Sequence, residues 1–182
     1  MDTASTATYR AFVRRVIGAG ALDAAVYQEV EADTRATAQA LLVVLLSSLA
    51  TGMGFGGRDL PAVAFFAAIA LLGWAAWALL TYHVGVQLLP EPQTRSDVGE
   101  LLRTTGFATA PGMLRVLGVA PGLAMPVFAV TAVWMLVAMI VGVRQALDYT
   151  TARRAVAVCG IGWVLSLVFV AVLGFFFGPR VS

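Results

Sequence analysis

"VFAVTAVWMLVAMIVGV", residues 127–143, is an apolar stretch without a single charge, and it stops at Arg144. Together with the preceding "PGLAMP" it reaches the roughly 20 residues that a membrane-crossing helix needs. The whole chain of 182 residues is 60% hydrophobic and 12% charged, whereas soluble domains are about 25% charged. A water-soluble fold of this length cannot bury so much apolar surface. The sequence therefore predicts an integral membrane protein.

Other apolar runs of similar length lie on both sides of this stretch. They predict an all-α, polytopic transmembrane helical bundle with about five spans. An N-terminal amphipathic helical region, residues 1–35, precedes a transmembrane domain at 36–182. We place the spans at approximately 37–56, 61–88, 98–118, 121–143 and 155–177. The second span exceeds one bilayer crossing, so its end is expected to tilt or to continue into the headgroup layer.

The N-terminal region alternates apolar and basic residues with helical spacing. Phe12, Val16 and Ile17 share one face, and Arg14 and Arg15 lie beside it. This pattern is typical of a helix that lies on a membrane surface. A solvated helical arm is the alternative.

The third span is interrupted by Ala-Pro-Gly at 110–112 and again at 120–122. An α-helix covers only about 17 Å between Arg103 and Arg115, against a hydrocarbon core of about 30 Å. Either the segment crosses and both arginines reach opposite headgroup layers, or it dips in and returns. Five spans with an inner N-terminus place nine of the 12 arginines inside and three outside, while four spans give eight and four. The positive-inside rule favours five spans.

The residues of this segment predict a kinked helix in the interior of the bundle. Small and polar residues form one side of it, and such a face packs against other helices rather than lipid. Proline removes one backbone hydrogen bond and bends a helix. The residues of this kink and polar face are Thr104, Thr105, Thr109, Pro111 and Gly112.

Two further features of the spans predict contacts. Arg115 is expected at the outer surface, paired with Asp59, the only acid in the predicted outer loops. Ser48, Gly52 and Gly56 recur at every fourth residue, a spacing that lets two helices approach closely. A glycine-rich exit loop is the alternative for the end of this run.

The inner loop "LPEPQTRSDVGELLR", residues 89–103, is the best candidate surface for a partner. Its charges alternate in sign at Glu91, Arg95, Asp97, Glu100 and Arg103. The alternative is a solvated connector, in which Asp97 caps the third helix and Glu100 completes a capping box.

The residue types that most catalytic or cofactor sites require are scarce. The chain has no lysine for a phosphate-binding loop, one histidine, His83, and one cysteine, Cys159. Metal and haem sites need several such ligands, and no basic cluster is dense enough for nucleic acid. We therefore predict no enzyme activity, no cofactor and no nucleic-acid partner.

Three stretches, "ALDAAVYQEVEAD", "LLPEPQTRSDVGELLRTTGFATAPGMLRVLG" and "VWMLVAMIVGVRQALDYTTARRAVAV", resemble the prokaryotic branch of the Yip1 domain family. The resemblance covers nearly the whole chain and is most specific from Glu100 to Gly118. It implies a bundle of about five transmembrane helices with a cytosolic N-terminus. Eukaryotic relatives are similar to trafficking factors that contact small GTPases, a role that this short N-terminal region is not expected to share.

Three functions remain as hypotheses. The first is a non-enzymatic scaffold that contacts membrane lipids and binds a membrane-protein partner or self-associates. The second is an oligomeric channel or carrier lined by the kinked third helix, which resembles the broken helices of transporters. The third is an accessory subunit of a larger membrane complex. The expected location is the bacterial cytoplasmic (inner) membrane, with the N-terminus in the cytosol.

Overall fold

A computed structural model describes residues 3–57, 59–92, 94 and 96–177. Within these ranges the chain is helical and contains no strand, so the all-α prediction is confirmed. The helices are α1 (Thr3–Gly20), α2 (Ala24–Ala32), α3 (Ala36–Gly56), α4 (Leu60–Tyr82), α5 (Val98–Ala108), α6 (Ala124–Ala146) and α7 (Ala152–Phe177). A π-helical turn (His83–Leu88) extends α4, and a 3₁₀ segment (Ala110–Val119) follows α5.

Three helices in the described ranges are long and apolar enough to cross a membrane. They are α3, α4 with its π-helical extension (Leu60–Leu88), and α6. These helices carry many exposed leucines, valines and phenylalanines, such as Leu72, which is 68% exposed. Water does not tolerate contiguous apolar faces of this extent, whereas lipid does. The protein is therefore an integral membrane protein.

Close glycine contacts define how the third segment runs. Gly106 lies against Ala40, Gly112 against Ser47, and Gly118 against Gly54. The residue numbers on the third segment and on α3 increase in the same direction along this contact, so α5 and the 3₁₀ segment run parallel to α3. The contact extends over 14 residues of α3 (54 − 40 = 14), or about 21 Å of helix.

The flanking helices run in the opposite direction. Gly52 of α3 packs on Ala67 of α4, whereas Gly56 packs on Val63, nearer the start of α4. Gly142 of α6 lies against Thr104, whereas Thr131 of α6 lies against Arg115. Since α4 and α6 are antiparallel to their neighbours, successive segments from α3 to α6 alternate in direction.

The break in the third segment is a change of helix type. The α-helix ends at Ala108 and the 3₁₀ segment begins at Ala110, so the change occurs at Thr109 rather than as a kink inside one α-helix. Pro111 lies in the first turn of the 3₁₀ segment, where its missing N–H removes no bond. A 3₁₀ helix rises about 2.0 Å per residue against 1.5 Å in an α-helix. Because of this change of helix type, the distance from Arg103 to Arg115 along the segment exceeds the roughly 17 Å of a continuous α-helix.

The helices α1 and α2 form a hairpin that packs on the bundle. The side chain of Asp23 caps α2 by accepting a hydrogen bond from Ala25 N at 2.9 Å. The hydroxyl of Tyr27 donates to Ala19 O across the hairpin, and Trp134 of α6 donates from Nε1 to Gly20 O at 2.8 Å. Ile17 remains 66% exposed. The hairpin is therefore anchored to the bundle while part of its apolar face stays outside.

Candidate functional site

A cavity of about 320 Å³ lies inside the helical bundle. Its walls come from α3, α4, the third segment, α6 and α7. The helix α4 packs on α3 and α7, while α6 packs on the third segment and α7, so α4 and α6 are not neighbours. The cavity occupies the gap between them. Its volume falls at the low end of the range for small-ligand sites.

Arg115 of the 3₁₀ segment points into this cavity. Its Nε donates to Thr131 Oγ1 at 3.1 Å, and its Nη1 donates to Thr51 Oγ1 at 3.2 Å. The guanidinium lies 4.5 Å from the centre of the Phe128 ring, which is a favourable cation–π distance. The cation is thus held by neutral groups from α3 and α6.

The structure does not bring Arg115 and Asp59 together. Among the described residues, the ion pairs join Arg14 and Arg15 to acids of α2 and its C-terminal cap, and Arg154 to Glu91. Asp59 occupies the N-cap position of α4. The predicted pair does not form because the arginine side chain turns inward, where two hydroxyls and an aromatic ring meet it.

Two tryptophans add hydrogen-bond donors to the cavity wall. Trp74 and Trp77 both line it, and the indole Nε1 of each is buried without a partner. The hydroxyl of Thr81, one turn below Trp77, is also buried without a partner. Buried polar atoms are nearly always satisfied in native proteins. Unpaired hydrogen-bonding groups of the described residues therefore concentrate on this part of α4.

A family model for the Yip1 domain matches residues 23–173. The chain belongs to the Yip1 domain family. The matched region begins at Asp23, so the family domain includes α2 as well as the bundle. Yip1 proteins are membrane proteins and are not known for catalysis. No curated protein and no solved structure matches this chain.

The threonines of the third segment lie in the interior of the Yip1 domain. Thr104 and Thr105 are fully buried, and each donates its hydroxyl to a carbonyl one turn back in α5. Thr109 donates to Gly106 O at 2.7 Å and also lines the cavity. Gly112 packs closely on Ser47. Because these hydroxyl donors are used inside the helix, the threonines do not supply free donors to a transport path.

The small residues of α3 are used within the Yip1 domain. A Cβ added to Gly52 would lie 3.2 Å from Ala67 Cβ, and one added to Gly56 would lie 2.7 Å from Val63 N. Both glycines therefore face α4, while Ser48 lines the cavity. The helix ends after Gly56, at Gly57, whose φ is +61°. The spacing thus serves close packing inside one chain, and the exit turn follows it.

Most charged side chains of the inner loop that the structure describes make hydrogen bonds or ion pairs within the chain. Glu91 is 8% exposed, pairs with Arg154 at 3.1 Å and accepts hydrogen bonds from Thr150. Asp97 and Glu100 form the capping box of α5, with bonds of 2.8 and 3.0 Å. Arg95 lies outside the described residues. Glu91, Asp97 and Glu100 therefore contribute to the fold of this loop, and its role as a partner surface stays a prediction.

Arg103 is likewise buried rather than offered to a partner. It is 5% exposed and donates from Nε to Val30 O at 3.1 Å and to Glu31 O at 3.0 Å. These carbonyls end α2, and a helix leaves its last carbonyls without internal partners. Arg103 therefore fastens the N-terminal hairpin to the third segment.

Sequence reasoning missed a cluster around Arg15. This residue is 8% exposed and bonds Glu29 of α2, Asp33 after α2 and Gln39 of α3 at 2.7–2.9 Å. Hydrogen bonds from Arg14 and then Arg15 hold the pKa of Glu29 below its usual value. The sequence gives no signal for these contacts, because the partners lie 14–24 residues apart on different helices.

The pKa of Glu31 is raised, whereas the pKa values of the nearby Glu29 and Asp33 are lowered. Burial, followed by the nearby charges of Asp148 and Glu100, raises the pKa of its carboxyl group to about 7. Among the acids of α2, Glu31 is therefore the one whose pKa is raised to near neutral pH.

Proposed function

We propose that this Yip1-family chain is a non-enzymatic binding component of the membrane, which holds a partner group in the cavity around Arg115. The observation that carries the proposal is a cation inside the bundle whose contacts with the described residues include no carboxylate. Charged residues within a membrane protein are costly and generally serve a function. A site that holds Arg115 with hydroxyls and a ring, rather than an acid, leaves its positive charge available to a ligand.

The contents of the cavity support binding rather than chemistry. Its polar groups are a guanidinium, indole N–H groups and the hydroxyls of serine and threonine. Nucleophilic catalysis by a hydroxyl requires a base within hydrogen-bond reach. His83, the only histidine in the sequence, begins the π-helical turn and is not among the residues that line the cavity.

The proposal narrows the scaffold hypothesis. Self-association through Ser48, Gly52 and Gly56 loses its support, since α4 covers both glycines. A channel lined by Thr104 and Thr105 loses its support in the same way, because both hydroxyls bond to their own helix. Binding within the bundle is the form of partner recognition that remains supported.

We further propose five crossings with the N-terminus in the cytosol of a bacterial inner membrane. The alternating directions of α3 to α6 support this arrangement, as does the gathering of Arg15, Arg103 and Arg154 with the N-terminal hairpin and the inner connections. Arginine is enriched on the cytoplasmic side of membrane proteins.

Isolation of the full chain from its native membrane in mild detergent tests the proposal. Native mass spectrometry is expected to find a bound non-protein mass or a bound protein on the parent chain. Arg115→Gln is expected to lose it, while Arg153→Gln, which removes an exposed charge at the other end of the bundle, keeps it. A parent chain that carries nothing, or an Arg115→Gln chain that retains everything, would refute the proposal.

A further inference from the structure

The cavity around Arg115 is elongated along the helix axes and differs at its two ends. Arg115, Thr51 and Phe128 form the outer end, and Val44 and Met139 lie at the inner end. From Phe128 to Met139 is 11 residues of α6 (139 − 128 = 11), or about 16 Å of helix. The outer end is cationic, whereas the inner end is lined by aliphatic, sulfur-containing and aromatic side chains.

The polar groups at this site supply more donors than acceptors. Arg115 uses Nε and Nη1 on two threonine hydroxyls, and its Nη2 makes no hydrogen bond with the described residues. The indole N–H groups of Trp74 and Trp77 are also unused, and Trp77 is only 5% exposed. A guanidinium and an indole donate and cannot accept. A ligand that presents oxygen acceptors matches these donors, and a negative charge matches the cation.

The cavity is open on the side that faces lipid. Gly73 lines it and is exposed, and a Cβ added there would meet nothing within 4 Å. Trp163, on α7, lines it as well and is 42% exposed. A second cavity of about 270 Å³, lined by Phe55 and Phe66, adjoins Arg115 from the outer side. A ligand that reaches the site from here must partition into the bilayer.

We propose that this cavity binds an anionic amphiphile, with its carboxylate or phosphate at Arg115 and an aliphatic chain along Met135, Leu136 and Met139. The inference rests on the proposed binding function and names the chemical class of the ligand. Charge-assisted hydrogen bonds from Arg115 hold the headgroup. The apolar inner end of the cavity provides the surface against which the aliphatic tail packs.

Nanodisc reconstitution of the full chain tests this ligand class. Three lipid compositions are compared: phosphatidylcholine alone, phosphatidylcholine with phosphatidylglycerol, and phosphatidylcholine with oleate. Native mass spectrometry then counts the lipids that stay bound after transfer to detergent. We expect one anionic lipid per chain and no retained phosphatidylcholine. Retention of phosphatidylglycerol assigns the site to a membrane phospholipid, and retention of oleate alone assigns it to a free fatty acid.

Two matched pairs of variants locate the binding. Arg115→Gln is expected to weaken retention about tenfold to a hundredfold, and Arg153→Gln to leave it unchanged. Gly73→Leu places a bulky side chain at the opening of the cavity, leaves Arg115 unchanged and is expected to abolish retention. Gly160→Leu is its control, since Gly160 is exposed with free space around it and lies outside the cavity.

The outcomes separate the ligand class from the binding function. If phosphatidylcholine is retained as well as the anionic lipids and Gly73→Leu removes it, the cavity binds lipid but the anionic assignment is wrong. If Arg115→Gln retains anionic lipid at the parental level, the assignment is also wrong. If no lipid is retained in any composition but the chain from its native membrane carries a mass that Arg115→Gln loses, only the ligand class is wrong. If the chain from its native membrane also carries nothing, both the ligand class and the proposed binding function fail.

Discussion

Replacement of Arg103 by methionine is expected to release the N-terminal hairpin from the bundle. The guanidinium donates to the carbonyls of Val30 and Glu31, at 3.1 and 3.0 Å for Nε, and the residue is 5% exposed. Methionine preserves the apolar stem but donates no hydrogen bond. The last carbonyls of α2 then lose the group that fastens them to α5.

The size of the effect follows from the number of acceptors. Two carbonyls lose a charged donor, and hydrogen bonds to charged groups contribute about 1.5–3 kcal/mol each. Part of this lost free energy is offset, because removal of a buried cation also removes its desolvation cost. The net loss is expected to be about 2–4 kcal/mol for the docking of the hairpin, which corresponds to roughly thirtyfold to several hundredfold faster exchange of its amides.

Hydrogen exchange of the full chain in nanodiscs measures this loss. The amides of α2 are expected to lose protection in Arg103→Met, while the amides of α6 away from the hairpin keep theirs. Arg103→Lys, which retains a charge but not the planar fork, is expected to fall between the parent and Arg103→Met. Arg153→Met is the exposed control. Parental protection of α2 in Arg103→Met would show that Arg103 does not hold the hairpin.

Three other predictions address the inner end, the helix packing and the topology. Burial raises the pKa of the Glu31 carboxyl in the folded chain to about 7, above its value of 4.5 in an unfolded chain, so the folded chain binds more protons between these values. Its contribution to stability is present below the lower value and is lost as the pH rises through the upper one. Glu31→Gln should remove this dependence and raise the denaturant midpoint above the parent at pH 8; a parallel pH profile would contradict the assignment. Gly52→Val forces a side chain against the α4 backbone and should destabilise by about 1–3 kcal/mol, whereas Gly160→Val should cost less; equal unfolding midpoints would argue against close α3–α4 packing. Single cysteines at Ser96 and Leu117 should react with impermeant reagent from opposite sides of the membrane, and labelling of both from one side would rule out the third crossing.

The apolar runs predicted the helices because lipid imposes one simple rule. A membrane segment must satisfy its own backbone, so a long apolar run becomes a helix. The prediction of 37–56 corresponds to Ala36–Gly56, and that of 155–177 to Ala152–Phe177. The capping box of Asp97 and Glu100 was also readable, because it is a local pattern three residues apart.

Contacts between distant segments were not readable in the same way. Arg115 meets Thr51, which lies 64 residues away in the sequence, and Arg103 meets Glu31 at a separation of 72. The sequence indicated a surface position for the first and an exposed loop for the second, since a charge is usually solvated. Only the packing of α3, α5 and α6 reveals that both arginines point inward.

The winding of the 3₁₀ segment determines the direction in which the Arg115 side chain points. Each residue turns about 120° around a 3₁₀ axis and about 100° around an α-helical axis. Over the six residues from Thr109 to Arg115 (115 − 109 = 6), the difference accumulates to roughly 120°, a third of a revolution. If these residues wound as an ordinary α-helix, the guanidinium would swing away from Thr51 and Phe128. A substitution at Pro111 that favours α-helical winding would therefore turn Arg115 away from the cavity, while the lining residues on α3, α4, α6 and α7 stay unchanged.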